Sequence, residues 1–114
     1  MAAKFETYKD KAGKHRFRLK AGNGEIILTS QGYSAKAGCE NGIGSVRKNA
    51  ANADNFEKKD TSSGKFMFNL KAPNQQVIAT SQSYSSASGR DNGIRSVQEN
   101  APDARVLEET WIVS

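Results

Sequence analysis

The stretch Gly13-Lys-His-Arg-Phe-Arg-Leu-Lys-Ala-Gly-Asn23 returns fifty-one residues later as Gly64-Lys-Phe-Met-Phe-Asn-Leu-Lys-Ala-Pro-Asn74, and that return decides the fold. In both versions alternate positions are apolar. His15, Phe17, Leu19 and Ala21 share one face, with Lys14, Arg16, Arg18 and Lys20 on the other. In the second version Phe66, Phe68, Leu70 and Ala72 oppose Lys65, Met67, Asn69 and Lys71. A period of two is a strand buried on one side. Working outward, residues 13–57 and 64–108 align without a gap, and 23 of those 45 positions are identical. A repeat of this period is one supersecondary unit used twice, the copies completing a common core.

The flanking segments supply the rest of the unit. Lys4-Phe-Glu-Thr-Tyr8 precedes the first alternating strand, and Asn55-Phe-Glu-Lys-Lys59 stands at the same offset before the second. Turns at Asp10–Gly13 and Asp60–Gly64 join each pair, and Gly22-Asn-Gly24 and Pro73-Asn-Gln75 lead into Glu25–Thr29 and Gln76–Thr80. Beyond these, Cys39, Gly42, Ile43, Val46 and Ala50 fall on one face of a helix. That spacing favours a helix over the hairpin turn that Asn41-Gly42 and Asn92-Gly93 also spell. Ser34 in the first copy, and Ser85 or Ser86 in the second, are the expected N-caps. The glycine at matching places mid-helix implies a helix too close to the sheet for a side chain. Arg90 replaces Cys39, so that end of the second helix is expected to be more exposed. Leu107 lies fifty-one residues after Phe56, itself fifty-one after Phe5. Two units thus contain three equivalent strands, the middle one ending the first copy and beginning the second.

At 114 residues the chain fits one domain, and each half alone would be marginal in the area it can bury. No apolar run approaches a membrane span or a signal peptide, which points to a soluble cytoplasmic protein. The single cysteine excludes an internal disulfide. The net charge of +5 is uneven: residues 1–55 hold ten Lys/Arg against five Asp/Glu, and residues 56–114 hold seven of each. Such asymmetry accompanies anionic partners, but also ordinary solvated surface.

Phe5-Glu-x-Tyr-Lys9, the Gly13–Glu25 hairpin, Thr29-Ser-Gln-x-Tyr33 and Asn41-Gly-Ile-x-Ser-Val46 together resemble the YegP-like family, small bacterial proteins built from one or two copies of this unit. The resemblance spans essentially the whole chain. It implies three strands, a helix and a further strand assembled as a pseudo-dimer with exchanged terminal strands. It carries the label of a domain of unknown function, so it implies no reaction and no set of site residues.

Read residue by residue, chemistry is sparse. One histidine, His15, and one cysteine, Cys39, are too few for a nucleophilic relay or a metal centre. Both read as packing residues, although an early-helix thiol is a conceivable redox site. Glu6, Glu57 and Glu108 belong to outward faces and form no paired-carboxylate site, and no phosphate-binding glycine loop opens a helix. No catalytic residue, metal ligand or cofactor is expected. Polar residues shared by both copies, Asn23/Asn74, Ser30/Ser81, Gln31/Gln82, Tyr33/Tyr84, Ser34/Ser85, Ser45/Ser96 and Asn49/Asn100, fit turns and caps better than a pair of pockets. The strongest functional feature is the stripe Lys14, Arg16, Arg18 and Lys20. Alternate strand positions recur at roughly 6.5–7 Å, on the order of phosphate spacing in an extended strand. Without interleaved aromatics the stripe makes a polyanion site at best, and charged strand rows also deter edge aggregation.

The sequence thus predicts an α+β single domain over 1–114, a tandem repeat of a three-stranded antiparallel meander plus helix. Repeat one covers about 4–57 and repeat two about 55–113, intertwined as a pseudo-dimer that is monomeric in solution. The expected core is Phe5, Phe17, Leu19, Ile27, Ile43, Val46, Phe56, Phe68, Leu70, Ile78, Ile94, Val97, Leu107 and Trp111. The expected function is a non-enzymatic interaction module with an unidentified macromolecular partner. The alternative is nucleic-acid binding through the basic strand.

Overall fold

The computed structural model describes residues 3–112, with side chains described through Leu107. Strands β1 (Lys4–Lys9), β2 (His15–Lys20) and β3 (Ile26–Ser30) form an antiparallel meander, followed by helix α1 (Lys36–Asn49). Strands β4 (Phe56–Asp60), β5 (Phe66–Lys71) and β6 (Val77–Thr80) repeat the meander, followed by α2 (Ala87–Asn100) and β7 (Arg105–Ile112). All seven strands make one sheet in the order β4-β5-β6-β3-β2-β1-β7. The two meanders meet at β3 and β6, paired through only Thr29↔Thr80 and Ser30↔Ala79. About that seam β3 corresponds to β6, β2 to β5 and β1 to β4. β7 alone has no counterpart.

The alternation read from the sequence is the alternation observed. Phe17, Leu19, Phe68 and Leu70 are fully buried on the helix side. Phe5 meets Phe17 edge-on at 5.9 Å, and Phe56 meets Phe68 in the same way at 5.6 Å. Tyr33 stacks along Phe17 and Tyr84 along Phe68, with centroids 6.5 and 6.3 Å apart. Above them sits the predicted face of α1, with Cys39, Gly42, Ile43, Val46 and Ala50 all buried. The helical glycines are there for space. A Cβ on Gly42 would lie 2.6 Å from the Tyr33 hydroxyl and 2.9 Å from Phe17 Cε2, and one on Gly93 would lie 2.7 Å from Tyr84 Cζ.

Three sequence expectations are corrected and a fourth is met. Leu107 is outside the core, 39% exposed, and pairs with Glu6 on the sheet's far side. A third copy of the β1 position needs a third β2-like strand to lie against. None is found among the described residues, and β7 instead docks parallel to β1 at the sheet's outer edge. For the same reason the middle strand, β4, does not close the first copy: among the described strands it pairs with β5 alone. The exchange of ends is therefore one-sided, β7 crossing from the second repeat to the first. The N-cap of α1 is Ala35, not Ser34, and makes no side-chain bond, whereas Ser86 at the equivalent position accepts from Gly89 N–H at 3.0 Å. As expected from the exchange for Cys39, which is 2% exposed, that end of α2 is the more open one, with only intermediate burial at Arg90. The Arg90 guanidinium lies 5.2 Å over Phe66 and reaches Lys59 O and the Asp60 carboxylate. Phe66 in turn replaces His15, so the Cys39–His15 exchange is one paired substitution. Trp111 lies beyond the residues whose side chains are described.

Candidate functional site

Both helices pack on the Phe17–Phe68 side, which leaves the other face of the sheet without a helix. The predicted cationic residues Arg16, Arg18 and Lys20 stand on this uncovered face, and Lys14, one residue before β2, is exposed. Antiparallel pairing puts Glu6 of β1 directly opposite Arg18. Arg18 Nε lies 2.7 Å from Glu6 Oε1, Lys20 Nζ is 3.2 Å from the same oxygen, and Lys4 Nζ is 3.5 Å from Oε2. The Arg18 guanidinium also lies 4.9 Å over the Tyr8 ring. Burial pulls the Glu6 carboxyl upward, but hydrogen bonds and charge from Arg18 and Lys20 outweigh it, so the group titrates below its ordinary value. Arg16 is likewise engaged, by Asp10 at 2.6 Å and by Ser30 O at 3.2 Å. The hydrogen bond from Arg16, above all, holds the Asp10 carboxyl low.

The stripe is thus partly neutralised by acids that sequence spacing alone did not place beside it. Finding Glu6 required knowing the β1–β2 register, in which residues summing to 24 are partners. The second copy keeps the same plan in reduced form. Glu57 accepts from Lys71 at 2.8 Å and from Asn69 at 3.2 Å, and is lowered chiefly by the Lys71 bond. Three cations surround Glu6, leaving a surplus of two positive charges on the first half of the face (three minus one).

A groove of about 390 Å³ crosses the middle of this face, at the seam of the two repeats. It exists because the β3–β6 ladder is only two residue pairs long, and register shifts in β2–β3 and β5–β6 precede it. Ile26 and Val77 give it apolar walls, with Thr29, Thr80, Gln31, Gln82 and Arg16 above. Gln31 and Gln82 reach across the seam in opposite directions: Gln31 Nε2 donates to Val77 O at 3.0 Å, and Gln82 Nε2 to Glu25 Oε1 at 2.5 Å. Single-sequence reasoning had no signal that these two glutamines line one groove, beyond their recurrence in both copies.

Four of the other shared polar pairs are engaged within the fold. Ser30 and Ser81 hydroxyls accept from Phe17 and Phe68 N–H, each at 2.9 Å. Asn49 and Asn100 donate to the Ser45 and Ser96 carbonyls one turn back, and Asn23 and Asn74 close two-residue side-chain turns. Cys39 is buried, and desolvation first, with the Glu40 charge second, pushes its thiol up to about 11. It is a thiol, not a thiolate, at neutral pH. Among the described residues, no three His, Cys, Asp or Glu side chains come together as metal ligands, and no helix is long and apolar enough to cross a membrane.

Comparison with known proteins matches this architecture closely. A family model described as a domain of unknown function, DUF1508, fits residues 10–57 and again 61–108. The UPF0339 protein from the ptx operon 5′ region of Stutzerimonas stutzeri is 57% identical over 108 residues, covering 95% of this chain and 97% of that protein. The UPF0339 protein YegP of Escherichia coli K12 is 49% identical over 110 residues, 96% of this chain and all of that one (100%). The solution structure of yegP from Escherichia coli, described as of unknown function, superposes with a TM-score of 0.91 at 49% identity, covering 96% of this chain and 95% of that one. That of a Shewanella oneidensis UPF0339 protein scores 0.90 at 45% identity, covering 96% and 93%.

Proposed function

The chain belongs to the DUF1508 family, a domain of unknown function, and from that premise we propose that it is a non-enzymatic interaction module that receives its partner in the groove between its two repeats. The observation that carries this reading is the composition of the groove. It draws residues from both copies, pairs apolar walls with two primary amides and four hydroxyls, and carries one guanidinium. Such a surface can hydrogen-bond an extended or polar ligand at several points while desolvating little of its own charge. Nothing in it is arranged as a nucleophile beside a base.

The test is affinity capture from the native cell with the wild-type chain and with Thr80→Arg, which fills the groove. The expected result is a partner retained by the wild type and lost by the variant, with unchanged amide spectra away from residue 80. A partner held equally well by both would place the contact elsewhere.

A second reading is favoured by the surplus positive charge around Glu6: electrostatic binding of a polyanion such as nucleic acid across Lys14, Arg16, Arg18 and Lys20. A salt titration with single-stranded and duplex oligonucleotides checks it. Binding that falls with salt and disappears in Arg16→Glu/Arg18→Glu supports this reading, and no binding at low salt ends it.

A further inference from the structure

We infer that β4 is a docking edge for an extended partner segment of apolar-then-acidic sequence, added as a parallel strand in the register that β7 takes on β1. The inference starts from the odd strand. The seam relates β1 to β4, yet only β1 has a strand on its outer side. Across the β4–β5 turn, Thr61 N–H donates to Lys65 O, and pairing proceeds through Lys59↔Met67 and Lys58↔Phe68. The alternation of an antiparallel ladder then turns the backbone groups of Glu57 and Lys59 toward β5, and those of Phe56, Lys58 and Asp60 outward. On β1 the equivalent residues, Phe5, Thr7 and Lys9, lie opposite Val106, Glu108 and Ile112 of β7. On β4 only the Phe56 N–H has a local acceptor, Ala53 O. Among the described residues no strand meets the Lys58 amide and carbonyl. The consequence for neighbouring side chains is visible. Glu6, flanked by β7, is 5% exposed, whereas Glu57 in the equivalent ion cluster of the second repeat is 35% exposed.

β7 is the template for what fits. Its register places Val106 opposite Phe5 and position 108 opposite Thr7. Shifted by fifty-one residues, the first becomes an apolar residue opposite Phe56. The second becomes a residue opposite Lys58, whose side chain is half exposed and whose neighbour Lys59 is equally open. A carboxylate at that register shares a face with the Lys58 ammonium, whose present partner is Asp91 at 3.0 Å, and one at the next residue shares the other face with Lys59, 3.8 Å from Glu57, so the sequence that suits this edge is apolar, then acidic at successive positions. Main-chain pairing supplies the affinity and alternate side chains the selectivity, as in other strand additions. The partner cannot be the chain's own β7, which is committed to β1. The edge lies two strands from the seam groove, so occupancy of one is measured separately from the other.

The test titrates an acetylated peptide Ala-Arg-Val-Leu-Glu-Glu-Thr into the isotope-labelled full chain, followed by amide shifts and hydrogen exchange. The expected result is saturable shifts at Lys58 and Asp60, slowed exchange of their N–H groups, and no change around Thr29 and Thr80. A peptide with both glutamates changed to lysine binds at least about fivefold more weakly. Lys58→Pro deletes an outward N–H that β5 does not use and abolishes binding. Should that variant not fold, Lys58→Glu keeps the backbone and reverses which of the two peptides is preferred. Shifts confined to Lys4–Lys9, from displacement of β7, would overturn the inference. So would an unperturbed spectrum at millimolar peptide, or concentration-dependent broadening of β4 without peptide, which would mean self-pairing.

Discussion

Two glycines of α1 stand two residues apart, and the same substitution is expected to stabilise at one and bring no gain or a loss at the other. Alanine is favoured over glycine in a helix interior by about 1 kcal/mol. At Gly44 an added Cβ meets nothing within 4 Å, and the second repeat already carries Arg95 there. Gly44→Ala should therefore realise the whole gain and raise Tm by about 4 °C for a domain of this size. At Gly42 the same methyl would sit 2.6 Å from the Tyr33 hydroxyl, 2.9 Å from Phe17 Cε2 and 3.0 Å from Tyr33 Cζ. Phe17 is fully buried with Phe5 against its edge, so neither ring moves without disturbing the core. Overpacking of this kind costs about 1–3 kcal/mol, which cancels or exceeds the helical gain. The two variants should then differ by that overpacking penalty of about 1–3 kcal/mol in urea unfolding, with Gly42→Ala the less stable. Adding Tyr33→Phe removes the closest contact but leaves the Phe17 approach, so it should recover part of the loss relative to Tyr33→Phe alone. If Gly42→Ala raised Tm as much as Gly44→Ala, the close packing of α1 on Tyr33 and Phe17 would be refuted.

Ala35 has the extended dihedrals of an N-cap but no acceptor, and Ser86 shows the bond it lacks, so Ala35→Ser should add about 1 kcal/mol in equilibrium unfolding. Glu6→Gln should destabilise by about 2 kcal/mol near neutral pH. The folded-state pKa of Glu6 is depressed, so its contribution is complete above the unfolded value of about 4.5 and fades as pH falls through the folded one; the gap between wild type and variant should close in acid, and a gap constant from pH 7 to pH 2.5 would contradict the ion cluster. With its thiol raised to about 11, Cys39 should react with iodoacetamide at pH 8 about a hundredfold more slowly in the folded than in the unfolded chain. A chain ending at residue 59 and one starting at residue 60 should each fail to give cooperative unfolding alone, since β7 pairs across the two halves; two well-dispersed independent fragments would oppose the single-domain reading.

Strands and helices were legible because burial imposes a period on neighbouring residues. Phe17 and Leu19 mark the inner face of β2, and Cys39, Gly42, Ile43 and Val46 the inner face of α1, with no partner needed to read either. What escaped detection depends on which element lies beside which. Leu107 obeys the repeat spacing, but the spacing does not say whether a strand is waiting to pair with it. Arg90 is polar by type yet held partly buried by context, because Phe66 offers a ring and the end of β4 offers oxygens. In the candidate site, Arg16, Arg18 and Lys20 were found on the right face as a row of cations. Their acids, Asp10 and Glu6, are six to fourteen residues away along the chain and become neighbours only through a hairpin register. The groove was not legible at all, since it arises from the shortness of one ladder rather than from any residue type.

An odd count of strands makes near-identical halves inequivalent. Any substitution on the flank of β1 is felt by a covering neighbour, whereas the matching substitution on β4 faces solvent or whatever arrives from solution. Thr7 and Lys58 occupy the same place in the repeated unit and live under those two regimes: Thr7 lies beside β7, whereas Lys58 stands at the opposite rim with Asp91 3.0 Å from its ammonium.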